Sequence, residues 1–156
     1  PICAGKGVLF IETAMNFERN FHTFVDAIPI PIEKSDEAPM SFKQELLSSE
    51  SEWSQHKKII EQPQGKPLGA CIPKNFPYFH VSFGGRGGFL HVIENEAEWP
   101  RHFGRSVVAV LLKLSPEIFL KPKPRGSIED DRQAVSKFLK QWQPFDWTAS
   151  LEGGSY

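Results

Sequence analysis

The chain has 156 residues, with 18 basic and 19 acidic side chains and a formal net charge of −1. This length suits one medium domain or two small ones, and a hydrophobic content of 40% is enough to form a core. A net charge near zero excludes a general attraction to nucleic acid, so any RNA contact needs a local basic patch. The two cysteines lack metal or redox spacing, which favours free thiols in a reducing compartment, and no apolar run approaches the roughly 20 residues of a membrane span.

The first part of the chain predicts two strands. "GVLFIET" (7–13) is a continuous apolar run typical of a buried strand, and "FHTFVDAIPIPI" (21–32) follows after the polar turn "FERN". Their apolar character predicts a hairpin that is covered on both faces. Pro29 and Pro31 lack the N–H that a central strand needs, so they should mark the exit of the second strand.

From Asp36 to about Ile60 the apolar period becomes helical, with Ser35 or Asp36 as N-cap and Pro39 in the first turn. The predicted apolar face consists of Met40, Leu46, Leu47, Trp53 and Ile60. "QPQGKPLG" (62–69) lacks periodicity and is typical of a linker. The sequence therefore predicts two domains, residues 1–62 and 63–156.

The second domain is predicted to begin with a β-hairpin. Strands at 76–83 and 89–94 flank "GGRGG", whose glycines suit a short loop. Alternation predicts that Phe79, Val81 and Phe83 face the core. A five-residue loop would place residue 80 near residue 92.

Two helices should follow the hairpin. The first begins at Pro100 and has an apolar stripe of Val107, Val108, Leu111 and Leu112. The second covers residues 127–143, where Ser127 and Asp130 resemble a capping box and Pro144 ends the helix. Its predicted buried face consists of Ile128, Val135, Phe138, Leu139 and Trp142, and "FDWT" should follow as a terminal aromatic clasp.

The glycine stretch around Arg86 could bind phosphate in several ways. A phosphate-binding loop needs Gly-Lys-Ser/Thr at the start of a helix, and here a strand follows without that lysine. One Arg-Gly-Gly copy between two strands is not the disordered array that binds RNA. The stretch therefore predicts a hairpin loop first, with Arg86 at its tip as a candidate phosphate contact.

Arg101, His102 and Arg105 form the densest basic cluster, at the start of a predicted helix. A helix N-terminus together with arginines attracts anions, although a solvated basic face balanced by nearby acids is an alternative. His80 and His91 on neighbouring strands lack a third ligand at suitable spacing, so no metal site is predicted.

His22, Phe24 and Asp26 would share one face of the second strand. A histidine-triad site carries His-x-His-x-His on such a face, and its central histidine attacks phosphorus. Phenylalanine has no lone pair for this attack, so covalent catalysis is disabled. We therefore expect a non-catalytic protein without a cofactor, in which His22 occupies a degenerate triad position.

Several stretches together resemble one known family. They are "GVLFIETAMN", "HTFVDAIPIP", "EWSQHKKII", "PYFHVSFGGRGGFLHVIE", "FGRSVV" and "EDDRQAVSKFLKQWQPFDWT". In order and over nearly the whole chain, they are similar to the paired C-terminal regions of CwfJ-type splicing factors. These are proteins of the late, intron-lariat spliceosome, and they are related to a cofactor of lariat debranching.

The resemblance implies an α+β fold: a degenerate histidine-triad-like half domain (strand, strand, helix), then a small domain with a β-hairpin and two helices. It implies a nuclear, non-catalytic pre-mRNA splicing module that contacts splicing proteins, snRNA and intron lariat RNA and assists the lariat-debranching enzyme. The candidate RNA-binding residues are Arg86, His91, Arg101, His102 and Arg105, of which His91 and Arg105 lie inside the matching motifs. Because the chain begins at Pro1, we expect a longer protein with the first half of the triad-like domain upstream.

Two alternatives stay open at the level of sequence. One is a nucleotide hydrolase or transferase of histidine-triad descent that uses His22. The other is a protein-only scaffold in which exposed aromatic residues such as Trp147 dock a partner.

Overall fold

The computed structural model describes residues 5–19, 22–49, 59–115, 117 and 126–149. The chain divides into two compact units, residues 1–120 and 121–156, which are described separately below. The described part of the first unit contains one antiparallel sheet in the strand order β2-β1-β4-β5-β3. Its strands are β1 (Lys6–Ala14), β2 (Val25–Pro31), β3 (Ile60–Gln62), β4 (Tyr78–Phe83) and β5 (Gly88–Val92), and its helices are α1 (Ala38–Ser48) and α2 (Phe103–Leu111).

The predicted hairpin of the first two strands is present, with two differences. β1 matches its prediction, but β2 begins at Val25 rather than at residue 21. Pro29 and Pro31 lie within the paired part of β2, opposite β1, and do not mark its exit. A proline is tolerated there because β2 is the edge strand of the described sheet. The expected cover on both faces is also wrong for β2, since Val25 is exposed and Ile30 is its one buried residue.

Helix α1 is shorter than predicted and turns a different face to the core. It ends at Ser48, residues 50–58 with Trp53 lie outside the described part, and Ile60 belongs to β3. The predicted burial of Leu46 is confirmed, and Phe42 is fully buried beside it, whereas Met40 and Leu47, which were also predicted to pack inward, are exposed.

The start of α1 differs from the prediction as well. Its N-cap is Glu37, which makes no side-chain capping bond, so neither Ser35 nor Asp36 caps the helix. The expected proline in the first turn, Pro39, is confirmed.

The linker prediction fails because the sheet continues across it. β1 pairs with β4, and β3 reaches Gln62 while paired with β5. The division of the chain lies after Leu120, not between residues 62 and 63. Long-range strand pairing, which composition does not reveal, joins the end of the first predicted domain and the start of the second into one sheet.

The hairpin of β4 and β5 follows the predicted alternation. Phe79, Val81 and Phe83 are buried on the helix-bearing face. His80 pairs with Leu90, two residues from the predicted partner, because a turn at Phe83–Arg86 closes the hairpin more tightly than a five-residue loop.

Helix α2 packs across the same face of the sheet. Phe103, Val107, Val108 and Leu111 are buried, which confirms most of the predicted stripe, and Leu112 is partly buried against the core. A Cβ on Gly104 would lie 2.6 Å from Cγ2 of Ile11 and 3.0 Å from Cε2 of Phe79. Glycine therefore lets the helix backbone approach the sheet closely.

The second unit contains α3 (Ile128–Trp142). The capping box is confirmed: the Asp130 N–H donates to Ser127 Oγ, and the Ser127 N–H donates to Asp130 Oδ2. The predicted burial of its apolar face is wrong, because Ile128, Val135, Phe138, Leu139 and Trp142 are 40% to 74% exposed. Phe145 and Trp147, the aromatic residues of "FDWT", are 46% and 68% exposed.

Candidate nucleic-acid contacts and the Arg86 cavity

Arg86 lies in the turn between β4 and β5. Gly84 and Gly85 have φ values of +58° and +82°, the left-handed pair that a tight hairpin turn requires, and the Arg86 N–H donates to the Phe83 carbonyl. The guanidinium reaches α1's entry: Nη1 donates to Asp36 Oδ1 at 3.1 Å and Nη2 to the Ser35 carbonyl at 3.5 Å. The side chain remains mostly exposed, so it can also contact a ligand.

A cavity of about 620 Å³, called here the Arg86 cavity, lies beside this turn. It is framed by the start of β1, the end of β2 and the entry to α1. Its lining is mainly apolar, with two cations and one carboxylate: Lys6, Gly7, Val8, Leu9, Pro29, Ile32, Ser35, Asp36, Phe83, Gly84 and Arg86.

Ser35 is the unusual member of this lining. Its side chain is buried, and its Oγ has no hydrogen-bond partner in the part of the chain that the structure describes. The hydroxyl lies against Gly7, where a Cβ would be 2.1 Å from Oγ, so a larger residue at position 7 would force the Ser35 side chain to move. A buried hydroxyl without a partner is uncommon in proteins.

Arg105 does not form an open phosphate site. Its Nε donates to Asp26 Oδ2 at 2.9 Å and its Nη2 to Asp26 Oδ1 at 2.7 Å, which makes a bidentate ion pair between α2 and β2. The hydrogen bond to Asp26 raises the pKa of Arg105, so the guanidinium stays charged. Asp26 occupies the Nε–Nη2 edge of the guanidinium, so an RNA phosphate would have to use the remaining edge, and the contact of Arg105 with RNA stays a prediction.

Arg101 and His102 are exposed at the entry to α2. His102 is the N-cap residue and makes no side-chain capping bond. Both side chains are therefore accessible at the surface, and their contact with RNA stays a prediction.

His91 lies in the core and is only 1% exposed. Its ring stacks on Trp99 with centroids 5.0 Å apart, on the same sheet face as Phe79, which pairs with His91 across β4 and β5. A direct RNA contact by His91 is incompatible with this burial. The sequence could have indicated this burial, because strand alternation places residue 91 on the same face as the apolar residues Phe89 and Ile93.

His22 is exposed and precedes β2, outside the strand on which the triad argument placed it. Phe24 is 67% exposed, and Asp26 is engaged by Arg105. The three residues thus present no nucleophile with an adjacent base. Within the described residues, no cluster of three or more side chains could hold a metal ion.

A polar network that sequence reasoning missed lies on the other face of the sheet. Tyr78 donates to Glu12 at 2.7 Å, and His80 Nε2 lies 2.8 Å from Gln62 Oε1. Burial, together with the hydrogen bond to Glu12, raises the pKa of Tyr78, whereas burial lowers the pKa of His80. The alternation of Tyr78 and His80 indicated this face, but their partners come from β1 and β3.

Fold and site together define an α+β protein whose antiparallel sheet carries a ligand-sized cavity flanked by cations. Among the described residues, no helix has the length and apolarity of a membrane span. Residues 52–148 match the family model described as "Protein similar to CwfJ C-terminus 2", which covers more than half of the chain. The chain belongs to this family, as its motifs predicted.

Named relatives extend the similarity over most of the chain. It is 39% identical to CWF19-like protein 2 of Danio rerio over 91% of its length, and 37% identical to the Homo sapiens protein of that name over 94%. It is 37% identical to Pre-mRNA-splicing factor cwf19 of Schizosaccharomyces pombe over 93%. The chain spans 15%, 16% and 24% of these three proteins, respectively.

Proposed function

We propose that this chain is a non-catalytic module of a nuclear pre-mRNA splicing factor that contacts RNA and proteins of the late, intron-lariat spliceosome. The observation that carries the proposal is the 37% identity to a protein named Pre-mRNA-splicing factor cwf19 over 93% of the chain. The family motifs support the finer features: contacts with snRNA and intron lariat RNA, and assistance to the lariat-debranching enzyme.

The RNA contacts are assigned to exposed cations. They are Arg101 and His102 at the entry to α2 and Arg86 in the β-hairpin turn, all of which are accessible and can donate hydrogen bonds to phosphate oxygens. Because the net charge of the chain is only −1, these contacts act locally and add to protein contacts in a larger assembly.

The non-catalytic part of the proposal rests on Phe24. It takes the place of the nucleophile in the triad pattern, and it is an exposed hydrocarbon ring. The order β1, β2, α1 supports descent from a histidine-triad half domain that has lost its chemistry.

A protein-only scaffold is the second candidate, and a specific observation favours it. Helix α3 exposes an apolar face that lines a groove of about 630 Å³ within the second unit. A contiguous exposed apolar surface of this kind is typical of a site that binds another protein.

Fluorescence anisotropy of the intact protein with branched and linear RNA, at two salt concentrations, tests the proposal. We expect Arg101→Glu to weaken binding and to lower the slope of log affinity against log salt by about 0.7 to 0.9, one phosphate contact. Arg132→Glu is the matched control, because Arg132 is an exposed arginine paired with Glu129 in the second unit. Equal slopes for wild type and Arg101→Glu, or no RNA binding at all, would favour the scaffold.

A further inference from the structure

Strand β2 forms one edge of the described sheet, with β1 as its strand neighbour there. It is seven residues long and mostly apolar, and its one charged side chain, Asp26, is engaged by Arg105. Val25 is 56% exposed, and Phe10 on the neighbouring strand is 38% exposed. A long apolar strand at the edge of a sheet can pair with another chain, so we expect this edge to be protected.

The register shows which backbone groups of β2 face outward. Directly after β2, the Ile32 N–H donates to the Gly5 carbonyl at 3.0 Å, so residue 32 forms a hydrogen-bonded pair with the β1 side. Hydrogen-bonded and non-hydrogen-bonded pairs alternate along an antiparallel ladder. The backbone groups of the even-numbered residues of β2 therefore point to β1, and those of residues 25, 27, 29 and 31 point away from it.

Both prolines of β2 belong to this outward-facing set. Neither Pro29 nor Pro31 has an N–H to donate to a strand on the outer side, and the ring of each takes the place of that N–H. The outer edge of β2 thus has four carbonyl groups but only two N–H groups, those of Val25 and Ala27.

The opposite edge of the described sheet is protected in another way. Strand β3 covers only three residues, Ile60–Gln62, and one of them is a glutamate. A short edge strand with a charged side chain offers little for another strand to pair with. Because β2 is more than twice as long, it needs a different form of protection.

We propose that Pro29 and Pro31 close the outer edge of β2 to strand pairing and so keep two copies of this chain from joining their sheets. Two copies of β2 placed antiparallel across a two-fold axis would pair residue 25 with residue 31 and residue 27 with residue 29. The prolines remove two N–H donors from each copy, so four hydrogen bonds are missing from this pair. A partner that adds an extended segment to this edge is limited to Val25 and Ala27. This inference goes beyond the proposed function and does not depend on RNA binding.

Sedimentation velocity of the intact protein over a range of concentrations tests the proposal. The double variant Pro29→Thr/Pro31→Thr restores both N–H groups with a residue that favours strands. Pro67→Thr is the matched control, because Pro67 is exposed and has an extended backbone but lies outside the strands. A triple variant adds Ala27→Pro to the double variant, which places one proline ring back on the outer edge. Thermal unfolding verifies that each variant is folded.

We expect the association constant of the double variant to exceed that of wild type by about thirtyfold or more, since each of the restored hydrogen bonds contributes a factor of about two to ten. The control should match wild type, and the triple variant should return to within about threefold of wild type.

Hydrogen exchange provides a second measurement. In wild type, the Ala27 amide should exchange about tenfold or more faster than the Ile28 amide, because only the Ile28 N–H faces β1. In the double variant, exchange of the Ala27 amide should slow as the protein concentration rises.

A folded double variant that associates no more than the control would overturn the inference. Association that persists after Ala27→Pro would also overturn it, because another surface would then be responsible. A wild-type Ala27 amide that exchanges as slowly as that of Ile28 would show that the outer edge is already paired. If the double variant does not fold, the single variants Pro29→Thr and Pro31→Thr provide the same test, with half of the missing hydrogen bonds restored in each.

Discussion

The ion pair between Arg105 and Asp26 gives the sharpest stability prediction. It joins α2 to β2, which has one strand neighbour in the described sheet, through hydrogen bonds of 2.9 and 2.7 Å. Exposed ion pairs contribute about 0.2–1 kcal/mol, and hydrogen bonds to charged groups about 1.5–3 kcal/mol. The two side chains are 36% and 25% exposed, so solvent screens the pair only in part. We therefore expect a coupling free energy of about 1–2 kcal/mol, above that of an exposed pair and below that of a buried one.

A double-mutant cycle of Arg105→Ala and Asp26→Ala, followed by urea unfolding, measures this coupling. The Lys43–Glu61 pair is the control, since its atoms are 3.8 Å apart and its side chains are 47% and 72% exposed. We expect the control coupling to stay below about 0.5 kcal/mol. Arg105→Ala should also leave the salt slope of RNA binding unchanged, in contrast to Arg101→Glu.

A coupling below about 0.3 kcal/mol for Arg105 and Asp26 would refute the view that this pair fastens β2 to α2. A lower salt slope in folded Arg105→Ala would instead support Arg105 as an RNA contact.

Two further predictions concern α2 and the sheet face that carries His80. Gly104→Ala should destabilise the first unit by about 1–2 kcal/mol in urea unfolding, because contacts with Ile11 and Phe79 outweigh the gain in helix propensity; a stabilised variant would contradict this close packing. The lowered pKa of His80 means that the unfolded chain binds its proton first, so stability should be full above the ordinary value of about 6.5 and fall as pH drops below it. His80→Asn should flatten this loss, and an unchanged pH profile of unfolding would exclude His80 as its source.

Local sequence signals predicted several elements well, because their causes are local. The alternation of Phe79, Val81 and Phe83 reports one buried sheet face, and the Ser127–Asp130 box is closed by residues three positions apart. The family motifs belong to the same category, since residue order alone carries them.

The structure shows which of the candidate RNA-binding residues are accessible. Arg86, Arg101 and His102 are exposed, so their contact with RNA stays a prediction, whereas Arg105 is engaged by Asp26, 79 positions away in sequence. Composition identifies a cation, but it does not identify which carboxylate the fold brings to it. The cavity was missed for the same reason, since β1, β2, the entry to α1 and the hairpin turn each supply part of it.

Periodicity, glycine placement and capping act over a few residues, so the sequence was enough to predict strands β1, β4 and β5, the hairpin turn, the capping box of α3 and the family. Tertiary structure alone decided the single sheet that crosses residue 62, the burial of His91 and the exposure of α3's apolar face. These features depend on which distant segments pair and pack. The stabilising contacts come from residues far apart in the sequence, and no local pattern links those residues.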